Sequence, residues 1–442
     1  MLKSFLTGLL AAAAVIYTGT AVAQTTSISP YSRFGLGDIN PSVGAAQFGL
    51  GGLGTGYADN TFINLSNPAT PAFLSKMTFD AGIRHNNLYL SGNAGSEHVT
   101  TTYINHFAYA FKVKDKYCLT AGLLPYSRFG YTINDTRTVD TLQMDIRYTG
   151  TGGINRAFLG NSYKILNRKD STQLSVGFNA NFLFGTIGRE VKSYLPYTSN
   201  YFNTRSQVYS TVHDVTFDIG TYFSFYPNRE KPLKLNFGAT YTFGTSLKTS
   251  QEVIKQTFIT NALLNEFPVD TIDYFKDTKG SITIPQTISL GASMVYKDRW
   301  VVGVDYRTQT WSQFSQDLRG SFITNDLKNS SQVSVGVQFT PKTFSAAKTS
   351  LFKLMNYRIG YRYENTYIQV KGEQISGNAF TGGLGIPLRR SNSLTRINIG
   401  YEMYTRGTTS NNLLKERYTN LVIGVSLSPN VLDRWFYKTK YD

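Results

Sequence analysis

The chain holds one cysteine, Cys118, so no intramolecular disulfide can staple its fold. Its four histidines, His85, His98, His106 and His213, stand in separate segments without the spacing of a metal site. His213 and Asp214 are adjacent, but neighbours on a strand point to opposite faces and form no dyad. Beyond the first two dozen residues no run of roughly 18 apolar residues occurs, which excludes a helical membrane span. Catalytic and metal-binding constellations are therefore missing from the sequence, and neither an enzyme nor a cofactor is expected.

What the chain does carry is an address. Residues 1–23 place Lys3 before an apolar run that closes on Ala21-Val22-Ala23, the pattern of a cleavable secretory leader. The chain carries 30 tyrosines and 29 phenylalanines, all but Tyr17 and Phe5 behind this leader, an aromatic load typical of a membrane-embedded exported chain. The net charge of +16 suits anionic lipid head groups and lipopolysaccharide, which an exported chain meets before any nucleic acid.

From about residue 77 polarity alternates with a period of two. Phe107, Tyr109, Phe111 and Val113 share one face of a segment whose other face carries His106, Ala108, Ala110 and Lys112. Leu174, Val176, Phe178, Ala180, Phe182 and Phe184 alternate with Ser175, Gly177, Asn179 and Asn181. The pattern recurs at 233–247, 288–296, 300–306, 333–339, 357–363, 380–388, 397–403 and 421–427. The second face is mostly Gly, Ser, Thr and Asn, as a crowded wet lumen favours. The count comes to about fourteen strands, an even number, and lipid requires them to close into a barrel.

The connections alternate in length. Short polar turns at 114–116, 167–171, 227–232, 297–299 and 389–392 read as periplasmic, and the long links 188–207, 249–279 and 313–330 read as outward loops. Within the second long link Ile254, Phe258, Leu263 and Phe267 fit a short amphipathic helix, a candidate capture surface for an apolar ligand. Trp300, Trp311 and Trp435 read as an interfacial girdle. The organisation expected is a leader at 1–23, a plug at 24–76, a transmembrane barrel at 77–429 and a basic aromatic periplasmic tail at 430–442.

Two features remain. The plug region is rich in glycine and lacks alternation, yet Phe48, Leu50, Leu53, Phe62, Ile63, Leu65 and Phe73 give it apolar side chains to bury, most simply in the lumen. The hexapeptide Pro-Tyr-Ser-Arg-Phe-Gly occurs at 30–35 and again at 125–130. The first copy is expected in a periplasmic lead-in to the plug. The second falls in the third strand, where Pro125 removes a ladder donor and Gly130 adds backbone freedom, so Pro125, Tyr126 and Gly130 mark a kink in the wall. Independent turn-rich fragments would give the same repeat.

The glycine-rich stretch followed by Asn67-Pro68-Ala69, the run 122–131 (GLLPYSRFGY), the run 150–156 (GTGGINR) with Gly160, and the run 284–293 (IPQTISLGAS) together resemble the FadL-type family of outer-membrane transporters. The ends, SPYSRFGLGD and DRWFYKTKYD, are similar to its Bacteroidota branch, some members of which serve secretion or assembly. The resemblance implies an all-β, fourteen-stranded antiparallel barrel in the outer membrane with an N-terminal lumenal hatch. It also implies an Asn67-Pro68-Ala69 hatch motif, an inward kink in the third strand, and lateral exit of an apolar ligand. The pattern at 51–59 departs from the family's. The expected function is passive uptake of hydrophobic small molecules such as long-chain fatty acids; the alternative is a non-transporting accessory subunit of an outer-membrane secretion or barrel-assembly machine. Expected partners are membrane lipid and lipopolysaccharide, a hydrophobic small molecule and, in the alternative, other outer-membrane or periplasmic subunits, with no nucleic acid.

Overall fold

The computed structural model describes residues 29–428, apart from 94, 140–141, 169–170, 197–200, 229–231, 262, 264, 319–326, 343–348 and 389–393. The expected leader and the tail with Trp435 lie outside the described residues.

Period-two alternation over long stretches gives strands, and the strands close. The wall runs β1 (Thr78–Gly92), β2 (Gly95–Lys114), β3 (Tyr117–Arg128, continued by Tyr131–Val139), β4 (Leu142–Arg168), β5 (Thr172–Tyr194), β6 (Asn203–Phe225) and β7 (Leu233–Thr242, continued by Thr245–Thr260). It continues with β8 (Glu266–Ile284 and Thr287–Tyr296), β9 (Trp300–Gln309), β10 (Ser330–Phe339), β11 (Asn356–Val370), β12 (Glu373–Pro387), β13 (Arg396–Gly407) and β14 (Lys415–Leu427). These fourteen strands are antiparallel, and β14 pairs with β1 from Lys415 opposite Ser91 to Leu427 opposite Phe79, so the sheet closes on itself. Among the described residues no helix is long and apolar enough to cross a membrane; the strands do the crossing.

The outward face of the wall is apolar and exposed, through Phe107 and Phe111 on β2, Phe178 and Phe182 on β5, Val302 and Val304 on β9, and Phe380 on β12. In water such a belt would be costly; facing acyl chains it is what holds the barrel in the bilayer. This is an outer-membrane barrel.

Strand length corrects the expected loops. A spanning strand needs ~9–11 residues, whereas β4 has 27 and β5 and β6 have 23 each. The links 188–207 and 249–279 are thus largely ladder, carried outward as hairpins above the membrane. The amphipathic helix does not form: Ile254 and Phe258 lie on β7, Phe267 on β8, and Leu263 in the turn between them. The segment is strand because β7 pairs on one side with β6, from Thr249 opposite Val212 to Phe258 opposite Asn203, and on the other with β8, whose extra residues at 276–277, 272 and 269 shift the register of that ladder.

The lumen is filled by residues 29–77. Their only regular elements are brief: a 3-10 turn Pro30–Arg33, the two-residue strand Asp38–Ile39, a helical turn Ala45–Phe48 and a 3-10 turn Thr70–Phe73. Apolar plug side chains meet the inner wall in layers. Near the periplasmic end Ile63, Leu65 and Leu74 pack on Ala108, Ala110, Cys118 and Phe158. Mid-barrel, Leu50, Leu53, Tyr57 and Phe62 cluster. In the outward half Tyr31, Phe34 and Leu36 meet Phe129, Ile154, Leu183, Trp311 and Tyr367. Trp311 is consequently no interfacial residue: it is fully buried and stacks on Tyr367 with ring centres 4.2 Å apart. Trp300 is 44% exposed and lies against Phe339 at the periplasmic end of β9.

Candidate functional site

The plug can approach the wall because the wall offers glycine. A Cβ built on Gly238 would lie 1.8 Å from the Thr55 carbonyl oxygen, one on Gly177 2.0 Å from that of Pro68, one on Gly360 2.3 Å from the Gly51 nitrogen, and one on Gly336 2.5 Å from the Leu50 oxygen. Gly177 stands opposite Gly220, Gly238 opposite Gly291 and Gly336 opposite Gly360 in the ladder, so these positions form a belt around the lumen. The sequence reading took the small residues of the second face as lining for a wet channel. They are contact points for backbone, and the available signal was one lumen-facing glycine on strand after strand.

Polar groups then fix the plug in place. Asp305 on β9 accepts hydrogen bonds from three consecutive plug amides, Gly54 (2.7 Å), Thr55 (2.6 Å) and Gly56 (3.2 Å). Asn67 donates from Nδ2 to the Thr55 (2.9 Å) and Thr221 (3.0 Å) carbonyls and accepts the Ala69 N–H on Oδ1 (3.0 Å). Ser175 of β5 donates to the Ala69 carbonyl at 2.9 Å, and Gly220 leaves room for Pro68. Asn67, Pro68 and Ala69 therefore sit against β5, β6 and β7 in tight packing. A small cavity of about 10 Å³ borders Pro68, between Ile63, Leu65 and Phe158.

Another cavity, bordered by charged side chains, lies elsewhere. About 160 Å³ separates plug residues 38–41 from the wall, bordered by Arg84, Arg128, Arg307, Arg362, Glu402 and Arg406. Glu402 is fully buried and paired with Arg362 at 2.8 Å and Arg84 at 3.7 Å. Arg406 grips the plug: its guanidinium meets both carboxylate oxygens of Asp38, at 2.9 and 3.1 Å, and also Glu416 at 2.6 Å and the Ser29 hydroxyl at 3.0 Å. Ser29 in turn donates to Glu416.

At Pro125 the ladder on the β4 side shifts register between Pro125 and Ser127, leaving Tyr126 as an extra residue. On the other side the pairing of β2 with β3 stops at Phe107 opposite Leu123. Beyond that point the edge of β3 belongs to the plug: Asp38 pairs with Arg128, Ile39 with Ser127, and the Asn40 N–H donates to the Tyr126 carbonyl at 3.0 Å. The wall thus has a seam between β2 and β3, closed from within by a plug strand. Gly130, at the end of the kinked segment, accepts at its carbonyl from the Ser29 N–H (3.0 Å) and the Ser32 hydroxyl (2.8 Å). The first hexapeptide copy is therefore not a periplasmic lead-in. It lies in the outward half of the lumen against the second copy, because the chain enters the lumen high and descends to Thr78.

Of the residues singled out for ligand capture, Phe258 is fully buried edge-on to Tyr194, Ile254 is half-buried, and Leu263 and Phe267 are exposed. They share no face. Around that hairpin, outside the apolar belt, Glu266 accepts from Lys192 (3.0 Å) and Tyr194 (2.9 Å) and pairs with Arg205. Burial raises the Glu266 carboxyl, but these hydrogen bonds and cations outweigh it and hold the group below its usual range. Among the described residues no group of three or more His, Cys, Asp or Glu is placed to hold a metal ion.

The family model for BamG matches the chain over residues 1–442. The chain belongs to the BamG family. No curated protein matches it. Among solved structures, the Pseudomonas putida toluene transporter TodX superposes with a TM-score of 0.55 at 15% identity, over 88% of this chain and 100% of its own. A Pseudomonas aeruginosa FadL homologue does so with 0.53 at 12% identity, over 88% and 98%. This BamG chain thus shares the fold of outer-membrane channels for hydrophobic compounds, as the resemblance implied.

Proposed function

We propose that this barrel acts as an accessory subunit of an outer-membrane secretion or barrel-assembly machine, its plug serving as a permanent core rather than a gate. The observation that carries this reading is the plug strand: Asp38–Ile39 pairs with the β3 edge at Ser127 and Arg128 while Arg406 holds Asp38 through two contacts. A gate must move at low cost. Here movement exposes a strand edge to the seam and strands buried charge, each a matter of several kcal/mol. The charged side chains around the 160 Å³ cavity support the same reading, since an apolar solute in it would displace water from buried ions.

A second reading, passive uptake of hydrophobic molecules such as long-chain fatty acids, is favoured by the seam itself: a wall without β2–β3 ladder beyond Phe107 is where lateral exit would occur. Gentle purification from outer membranes separates the two. The subunit reading expects stoichiometric protein partners that survive neutral detergent. A lone barrel carrying fatty acid, together with slowed fatty-acid uptake in cells lacking the protein, would replace it with transport.

A further inference from the structure

We infer that the inner end of the seam is a binding site for an oxyanion, carboxylate or phosphate, held by Arg128 and Asn40. The arginines around the cavity are not equivalent. Arg84 and Arg362 share Glu402, and Arg406 is bound by Asp38 and Glu416. Arg128 has no carboxylate within ion-pairing distance among the described residues. Its guanidinium lies 3.8 Å from the centre of the Tyr103 ring, and its Nη1 is buried with no acceptor. Asn40 presents the same deficit: Oδ1 accepts from the Tyr103 hydroxyl at 3.2 Å, while Nδ2 is buried and unpartnered. Both carboxylate oxygens of nearby Asp38 face Arg406, so that charge is already engaged.

Arg128 Nη1 and Asn40 Nδ2, two buried donors without an acceptor, therefore border one cavity, whose buried carboxylate Glu402 is engaged by Arg362 and Arg84 and whose Arg362 Nε faces Glu364 at 3.6 Å. Leaving a buried donor unmade costs ~1–3 kcal/mol, more for a charged one, and an oxyanion oxygen is the acceptor that a guanidinium and an amide can share. The cavity has room for such a group with several waters, since one water needs roughly 10–15 Å³. The seam beside Tyr103 and Arg128 gives the group a second feature: an anion bearing an acyl tail could leave the tail in the wall and the head inside. The site requires neither the subunit reading nor transport.

The test is calorimetric titration of the intact mature barrel in maltoside micelles with two probes, inorganic phosphate and dodecanoate. Saturable binding of at least one is expected. Arg128→Gln and Asn40→Ala should each weaken it about tenfold or more, the loss of a charge-assisted or buried hydrogen bond, while Arg128→Lys keeps part of the affinity. Dodecanoate alone identifies an amphiphile head group; both probes at similar affinity identify a free oxyanion. Heat-modifiable migration of each variant establishes that the barrel has folded, and Asn40→Ala carries the test if Arg128→Gln does not fold. No saturable binding of either probe, or affinity unchanged in the folded variants, overturns the site.

Discussion

Ser32 and Gly130 exchange hydrogen bonds in both directions. The Ser32 hydroxyl donates to the Gly130 carbonyl at 2.8 Å, and the Gly130 N–H donates to the Ser32 oxygen at 3.1 Å. Ser32 is the third residue of one hexapeptide and Gly130 the last of the other, so the repeated segment binds its own second copy across 98 residues of chain. Ser32→Ala leaves the Gly130 N–H buried without an acceptor and should cost ~1–3 kcal/mol. Hydrogen exchange at Gly130 checks it: protection should fall there while strands β9 to β12 are unaffected.

Removing the cation at the plug's outward end should do more. Arg406→Gln leaves Asp38 and Glu416 as buried carboxylates without their partner, a change expected to cost ~3–5 kcal/mol. Restoring neutrality with Asp38→Asn in the same chain should recover part of that loss. Urea melts of the two single variants and the double variant give the coupling, and additive losses would mean that the plug is held elsewhere.

A wall substitution can displace the plug without touching it. Any side chain at Gly238 must occupy space 1.8 Å from the Thr55 oxygen, which is backbone and cannot give way. Gly238→Leu should therefore yield a barrel that closes and migrates heat-modifiably but whose plug is unseated. Planar-bilayer recording is the measurement: steady conductance is expected from the variant and little from the parent.

The outward hairpin should loosen in acid. Glu266 has a folded-state pKa below its ordinary value of ~4.3, so its contribution is present above that value and is lost as pH falls through the depressed one. A spin label on Leu263→Cys, at a turn residue 81% exposed, should keep its mobility between neutral pH and about 5 and gain mobility below about 4. Adding Glu266→Gln should remove that dependence.

Much of this molecule is legible as text. Alternation in segments such as 174–184 and 333–339 can satisfy lipid outside and polar contents inside only as strands, and strands in lipid can satisfy their backbone only by closing. Pro125 signals irregularity in β3 for a local reason, the missing N–H. The segment 254–267 mimics a helix because residues four apart, as Ile254 and Phe258 are, suit the repeat of a strand as well as that of a helix, and the turn adds the apolar Leu263. Trp311 was misplaced for another cause: an indole near a strand end can face lipid or the lumen, and the 3-10 turn Trp311–Gln313 points it inward.

By itself the sequence determined the wall, because the period of side-chain polarity is a local property enforced by solvent and lipid at every residue. It determined too that residues 24–76 could not be wall. The sequence pointed that segment to the lumen, but which wall groups it would meet there was decided by tertiary structure alone. Asp38 meets Arg406, Thr55 meets Gly238 and Ser32 meets Gly130 across separations of tens to hundreds of residues. Such contacts leave no periodic trace, since the energy that selects them arises only when the barrel has curved round to bring both partners together.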